Sequence, residues 1–278
     1  MNNQSLLKRN KHVRDENIRF FENGHQYVIT TDDTKYTSVT TWNSTHFSHF
    51  DSDAVIKTIM SGKKWKEGHK YWGLTADQIK EKWSQNAKSV SSAGTDMHYK
   101  IECFMNNPNS YTHKELYEDY NKTNKNLNDE SLEWKYFIDF IRDTPDLKPY
   151  RTEWTIYHEE LKLAGSIDMV YENPDGTLSI YDWKRVKDIT KVNYWNKFAI
   201  TESICHFHDT NFWHYALQLN TYKAILEDKY DKKVVKLCLV RLHPEAEEKS
   251  YELIEIPILK KEMDNLFSER KTQIIKQK

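Results

Sequence analysis

Apolar and polar positions change period several times along the chain, and each change marks an element. Ile18-Arg19-Phe20-Phe21 and Gln26-Tyr27-Val28-Ile29 flank an Asn23-Gly24 turn signal, which predicts a short hairpin. A third short strand is expected at Tyr36–Thr41. From Asp53 to about Met105 the pattern turns helical. There Ala87, Val90, Gly94, Met97, Ile101, Phe104 and Met105 recur at three- and four-residue steps, as the apolar face of one long helix does. Asn106–Asn128, rich in Asn and Lys and holding Pro108, reads as a loop or weak helix. Ser131–Arg142 reads as an amphipathic helix closed by Pro145. The period then drops to two, with strands at Tyr150–His158, Leu163–Tyr171 and Thr177–Lys184. Helices at Lys191–Glu202 and Asn211–Asp228, strands at Val234–Leu242 and Tyr251–Ile256, and a helix at Leu259–Ile275 complete the reading. With neither an internal repeat nor a linker, the economical expectation is one α/β domain over residues 1–278. Residues 1–85 form an N-terminal extension of short strands and helices, and 86–278 form the core.

Composition narrows the class. Of 278 residues, 38% are apolar and 30% charged, with only 7 Gly and 6 Pro, which excludes collagen-like and wholly disordered chains. Mean hydropathy is −0.87, and no stretch reaches the roughly 18 apolar residues of a membrane helix. With no apolar signal core near the start, the expected location is intracellular. The 3 cysteines, Cys103, Cys205 and Cys238, are too far apart for a disulfide framework or a metal knuckle. Net charge is −1, so any nucleic-acid partner must meet a local basic surface.

The chemistry concentrates in one hairpin. Glu172-Asn173-Pro174-Asp175-Gly176-Thr177 has the residues of a type I turn followed by a glycine bulge. In that loop Asn173 faces Thr177, so Val170 faces Ile180, Asp168 faces Asp182 and Ser166 faces Lys184. Alternation then gathers Asp168, Asp182 and Lys184 on one sheet face. Neighbouring carboxylates repel unless a cation lies between them, and an oxygen-rich site of this kind suits Mg²⁺ or Mn²⁺. Asp182-x-Lys184 alone reads better as a plain salt bridge, since the same spacing recurs at Glu133–Lys135 and Glu227–Lys229. Its distinction is the Gly165-Ser166-Ile167-Asp168 strand before it.

Gly165-x-x-Asp168, Asp182-x-Lys184 and Gln218-x-x-x-Tyr222, with Gly94-Thr95-Asp96-Met97-His98 upstream, resemble the motifs of the PD-(D/E)XK nuclease superfamily in its RecB-like exonuclease branch. The motifs stand in that family's order over about half the chain. Ser38-Val39-Thr40-Thr41 and Phe50-Asp51 are similar to the N-terminal region of phage, large-virus and mitochondrial genome maintenance members. The resemblance implies a restriction-endonuclease-like mixed sheet flanked by helices, and a Mg²⁺- or Mn²⁺-dependent deoxyribonuclease acting in replication, recombination or repair. It implies His98, Asp168, Asp182 and the Trp183 carbonyl as metal ligands, with Glu102 as a further candidate. Lys184 would position the nucleophilic water, Gln218 and Tyr222 would support it, and Glu153 resembles the family's upstream acid. The implied partners are DNA, single-stranded or with a free end, together with replication or recombination proteins. Relatives that carry an iron–sulfur cluster use four cysteines, so none is expected here.

Two basic groups are candidates for DNA contact: Lys63, Lys64, Trp65 and Lys66 within Lys57–Trp72, and Arg185 with Lys187 just after the hairpin. The bland alternative for the first is a solvated helix with core tryptophans. His206, His208 and His214 lack zinc-site spacing. The competing functional readings are a binding protein that kept the fold without catalysis, and an RNA endonuclease of the cap-snatching kind.

Overall fold

The computed structural model describes residues 4–123 and 131–276. Its elements, in order, are helix α1 (Ser5–Arg9), a 3₁₀ turn (Val13–Asn17), strands β1 (Ile18–Phe21), β2 (Gln26–Ile29) and β3 (Thr37–Ser38), and helices α2 (Val39–Ser44), α3 (Ser52–Ser61), α4 (Ala76–Met105), α5 (His113–Thr123) and α6 (Leu132–Asp143). Strands β4 (Lys148–His158), β5 (Leu163–Glu172) and β6 (Leu178–Lys184) follow, then a 3₁₀ turn (Glu202–Ile204), α7 (Asn211–Lys229), β7 (Val234–Arg241), β8 (Glu252–Glu255) and α8 (Lys260–Lys276). The chain is therefore mixed α/β, and helices flank a mixed sheet of six strands. None of the described helices is long and apolar enough to cross a membrane.

The predicted β5–β6 turn forms with the expected register, pairing Val170 with Ile180 and Met169 with Tyr181. Gly176 takes the left-handed φ of +80° that the bulge requires. Pairing then stops, because the same edge of β5 is shared. β4 runs along one edge for its whole length, while β6 occupies the other at Met169–Glu172 and β3 occupies it at Leu163–Ala164. Gly165–Asp168 lies in the fork between β3 and β6, without a ladder partner on that side. β6 pairs parallel to β7, and β8 closes the far edge. Alternation along β6 sends Leu178 and Ile180 into the core beneath α7 and Tyr181 and Trp183 into the core beneath α4 and α6.

Several expectations change in detail. Tyr36–Thr41 is a strand only at Thr37–Ser38, because the Ser38 hydroxyl accepts from the Thr41 N–H and caps α2. The helical stretch from Asp53 is two helices separated by turns at 62–75, and a Thr75–Gln78 capping box starts the second. Within α4 only Ile79, Met97, Ile101 and Met105 are buried, and Val90 is exposed, so the middle of this helix stands clear of the core. The segment read as a loop or weak helix is turn and loop over 106–112 and a helix, α5, over His113–Thr123, and its residues 124–128 lie outside the described residues.

No helix forms at Lys191–Glu202. The Asn193 side chain accepts from the Trp195 N–H and donates to the Asp209 carbonyl, and Asn196 is left-handed at φ +52°. Asn competes with helical hydrogen bonding in this way wherever no buried face holds the helix. Here Tyr194 and Trp195 are 90% and 87% exposed, and Ala199 alone of the segment's apolar side chains is buried.

The boundary expected at residues 85/86 falls inside α4. The N-terminal segment also reaches deep into the sheet. Asp15 accepts from both Arg151 and Trp154 at 2.8 and 3.0 Å, and β3 is itself a strand of the six.

Candidate metal and catalytic site

The site grows from a fault in strand alternation. Arg151 and Trp154 are three residues apart on β4, yet both bond Asp15. Ile167 and Val170 on β5 are likewise three apart, yet both enter the α7-side core. In a regular strand, residues three apart point to opposite faces. Both strands therefore slip by one position at the level of Glu153 and Asp168, and Glu153 absorbs the slip with a left-handed φ of +42°. The flanking pairs Thr152↔Met169 and Trp154↔Ile167 set Glu153 opposite Asp168. The β5–β6 ladder ends at Met169↔Tyr181, and just past it Asp168 takes the Trp183 N–H and lies close enough for its charge to act on Asp182. Three carboxylates thus stand level across β4, β5 and β6.

Each has a distinct partner. Asp168 accepts from the Trp183 N–H at 3.1 Å, replacing the ladder bond missing in the fork. Asp182, 1% exposed, pairs with Lys184 at 2.6 Å and accepts from Gln218 at 3.4 Å. Glu153 accepts from the Ser166 hydroxyl at 2.9 Å. His98, on α4, reaches the Trp183 carbonyl through Nε2 at 3.0 Å and lies 3.5 Å from Asp168 through Nδ1. On α7, Gln218 receives from Lys184 at 3.5 Å and donates to the Tyr222 hydroxyl at 3.3 Å, the i,i+4 contact of one helix face. Tyr222 packs so closely under β5 that a Cβ on Gly165 would lie 2.7 Å from its ring. Gly165 is what lets α7 approach the fork.

The electrostatics follow from this crowding. Burial, then the charge of Asp168, pushes the Glu153 carboxyl up to about 8. The same two causes raise Asp182 to about 6 against the opposing effect of Lys184. Burial would lower Lys184, but Asp182 and Asp168 outweigh it and hold the ammonium above its ordinary value. Burial also raises Glu102.

The residues expected from sequence are distributed unevenly. The structure brings together His98, Asp168, Asp182, Lys184, Gln218, Tyr222 and Glu153. The tightest ligand group is His98, Glu153 and Asp168, whose ligand atoms lie within 4.8 Å of one another. Asp182 is engaged by Lys184 instead, and the Trp183 carbonyl accepts from His98. Glu102 lines the same cleft without joining that group. Ser166 does not pair with Lys184, as the turn register alone implied, because β5 and β6 separate before that level and Ser166 turns to Glu153. Arg185 is held by Glu133 at 2.6 Å, and Lys187 lies 3.4 Å from Glu245, so neither cation is without a carboxylate. Lys63, Lys64 and Lys66 are exposed on the turns before α4, where Trp65 packs on His69 and Trp72. Among the described residues no hydrogen bond or ion pair ties these lysines to the carboxylates.

Sequence reasoning missed Tyr215, whose ring lies 4.4 Å from the Lys184 ammonium. It stands three residues before Gln218, so helical spacing was the available signal. Tyr27 was also missed as a site neighbour. Burial first, then Glu153 and Asp168, pushes its phenol well up, and no local motif marks it. No family model matches this chain, and no curated protein matches it.

Proposed function

We propose that the protein is a metal-dependent DNA nuclease of the PD-(D/E)XK type, with a restriction-endonuclease-like sheet and RecB-like exonuclease action on DNA in replication, recombination or repair. The observation that carries this reading is the level row Glu153–Asp168–Asp182, flanked by His98 at one side and by the Lys184–Gln218–Tyr222 chain at the other. The strand order β3-β5-β6-β7-β8, with β4 beside β5, supports the fold assignment.

The donor set fits a hard divalent cation. The Trp183 carbonyl can only accept, so His98 Nε2 donates to it, which leaves Nδ1, facing Asp168 at 3.5 Å, as the ring nitrogen that would ligate a cation. An imidazole nitrogen and two carboxylates within 4.8 Å of one another suit Mg²⁺ or Mn²⁺, which His98, Glu153 and Asp168 would hold, with Asp182 beside them. When bound, such an ion polarises the phosphoryl oxygen and lowers the pKa of coordinated water. The chain's own residues supply the remainder. Lys184 stays protonated beside Asp182 and acts as a charged donor that orients water or a phosphate oxygen. Gln218 spans the Asp182 and Lys184 side chains, fixing their angle, and Tyr222 fixes Gln218 in turn. Ser166 orients Glu153.

End-labelled single- and double-stranded DNA, incubated with Mg²⁺, Mn²⁺ or EDTA, tests the reading. Metal-dependent shortening that disappears in Asp168→Ala is the expected result. Binding without cleavage under every metal would replace the nuclease by a catalytically silent DNA-binding protein.

A further inference from the structure

A cleft of about 710 Å³ opens beside the carboxylates, within the size range of small-molecule sites. Glu153 and Ser166 lie on its floor, so it is continuous with the catalytic groups. One wall is α4, where His98 and Gly94 line the space and a Cβ on Gly94 would meet nothing within 4 Å. The opposite wall is the β1–β2 hairpin, which presents Phe20, His25 and Tyr27.

These three rings form one cluster. Phe20 lies 4.8 Å from Tyr27 and 5.0 Å from His25, the latter edge-on at 83°. Tyr27 is buried and packs with Ile18, Ile29, Tyr157 and Ala164, so the hairpin is seated on the sheet. Phe20 remains 37% exposed on the cleft side of that anchored cluster. The charge pattern indicates what enters. The described residues lining the cleft include Glu22, Glu102 and Glu153 but no lysine or arginine. Away from the carboxylates the lining thus offers a backbone phosphate no cationic side chain, whereas the half-exposed Phe20 ring offers a planar group a face.

Resting on the nuclease reading above, we infer that Phe20, braced by Tyr27 and His25, is a stacking platform for the nucleobase next to the phosphate that meets the carboxylates. The platform needs a free base face. In a duplex both faces of an internal base are covered by its neighbours, so the substrate class it selects is single-stranded or frayed DNA. Stacking on a ring is sequence-tolerant, because every base has a π face, so the platform positions the strand without reading its sequence.

The test compares an oligothymidylate with an all-abasic strand of equal length, measuring binding with Ca²⁺ and cleavage with Mg²⁺ or Mn²⁺. The proteins are the wild type, Phe20→Ala, Phe20→Leu and, as control, Phe21→Ala. Phe21 is the exposed neighbour that does not line the cleft. Phe20→Leu keeps apolar bulk on the hairpin, and thermal melting confirms that both Phe20 variants fold. Phe20→Ala and Phe20→Leu are each expected to raise KM and Kd on oligothymidylate about tenfold. Neither should change binding of the abasic strand, and Phe21→Ala should match the wild type on both. Equal effects of Phe20→Ala on the two strands, or none on oligothymidylate, overturn the platform while the nuclease reading stands. A wild type that shortens duplex DNA but neither binds nor cuts oligothymidylate overturns the platform alone, and one that acts on neither overturns both.

Discussion

The two ends of the carboxylate row are balanced by different means. At the β6 end, Asp182 is buried but matched by Lys184 and Gln218, so its charge is compensated from within the protein. At the β4 end, Glu153 has only the Ser166 hydroxyl and a nearby imidazole, and its carboxyl is pushed higher than that of Asp182. A hydroxyl dipole offsets far less of a buried charge than an ammonium does. On the proposed metal-dependent reading, a cation would sit at Glu153, Asp168 and His98, while the β6 end has a fixed positive charge of its own.

The strongest way to break this comparison is at its centre. Asp168 serves both ends, through His98 on one side and the Trp183 N–H on the other. Asp168→Ala is expected to lower metal-dependent cleavage by a hundredfold to a thousandfold, roughly the cost of losing one electrostatic contributor in an active site. Near wild-type rates on end-labelled DNA would disprove the assignment.

At the β6 end, Lys184→Arg separates chemistry from charge balance. A guanidinium keeps the positive charge but cannot reproduce an ammonium beneath the Tyr215 ring and beside Gln218. Cleavage by Lys184→Arg should therefore fall about as far as in Lys184→Ala, while its melting temperature stays nearer the wild type. Recovery of most of the rate in the Arg variant would reduce Lys184 to a counter-charge.

Glu153→Gln sharpens the β4 end through stability. In metal-free protein the folded state keeps a proton on Glu153 up to about pH 8, whereas the unfolded chain releases it near the ordinary value of 4.5. Its contribution is fully present below pH 4.5 and is lost as pH rises through about 8. Thermal melts in EDTA should thus show the wild type losing stability over that window relative to Glu153→Gln, and Mg²⁺ should restore the wild type alone. Parallel pH profiles for the two proteins would contradict the balance described above.

The smallest effect is expected away from the row. Changing Lys63, Lys64 and Lys66 together to Ala should weaken single-stranded DNA binding and reduce its salt slope by up to about two, with turnover at saturating DNA little altered. A binding titration at two salt concentrations reads this directly. An unchanged slope would leave these lysines as solvated charges beside Trp65 and Trp72.

Much of the site was legible before any tertiary structure, wherever the information is local. The Pro174-Asp175-Gly176 turn determines the β5–β6 register, because its backbone conformation is set by the residues within it. That register alone brought Asp168 beside Asp182 and, by alternation, put Lys184 with them. Helical spacing likewise joined Gln218 to Tyr222. What the chain's pattern could not decide depends on contacts far apart in sequence. Val90 has the spacing of a buried residue on α4 yet is exposed, because none of the described residues covers the helix there. Lys191–Glu202 has apolar residues at helical spacing, but only Ala199 among them is buried, too little to hold a helix. The place of Glu153 depends on a slip shared by two strands and held by Asp15 from the N-terminal segment, which no two-residue period can encode. Local turn and helix chemistry is written in neighbouring residues; the level row of acids exists because distant segments pack against a strand pair that has lost its alternation.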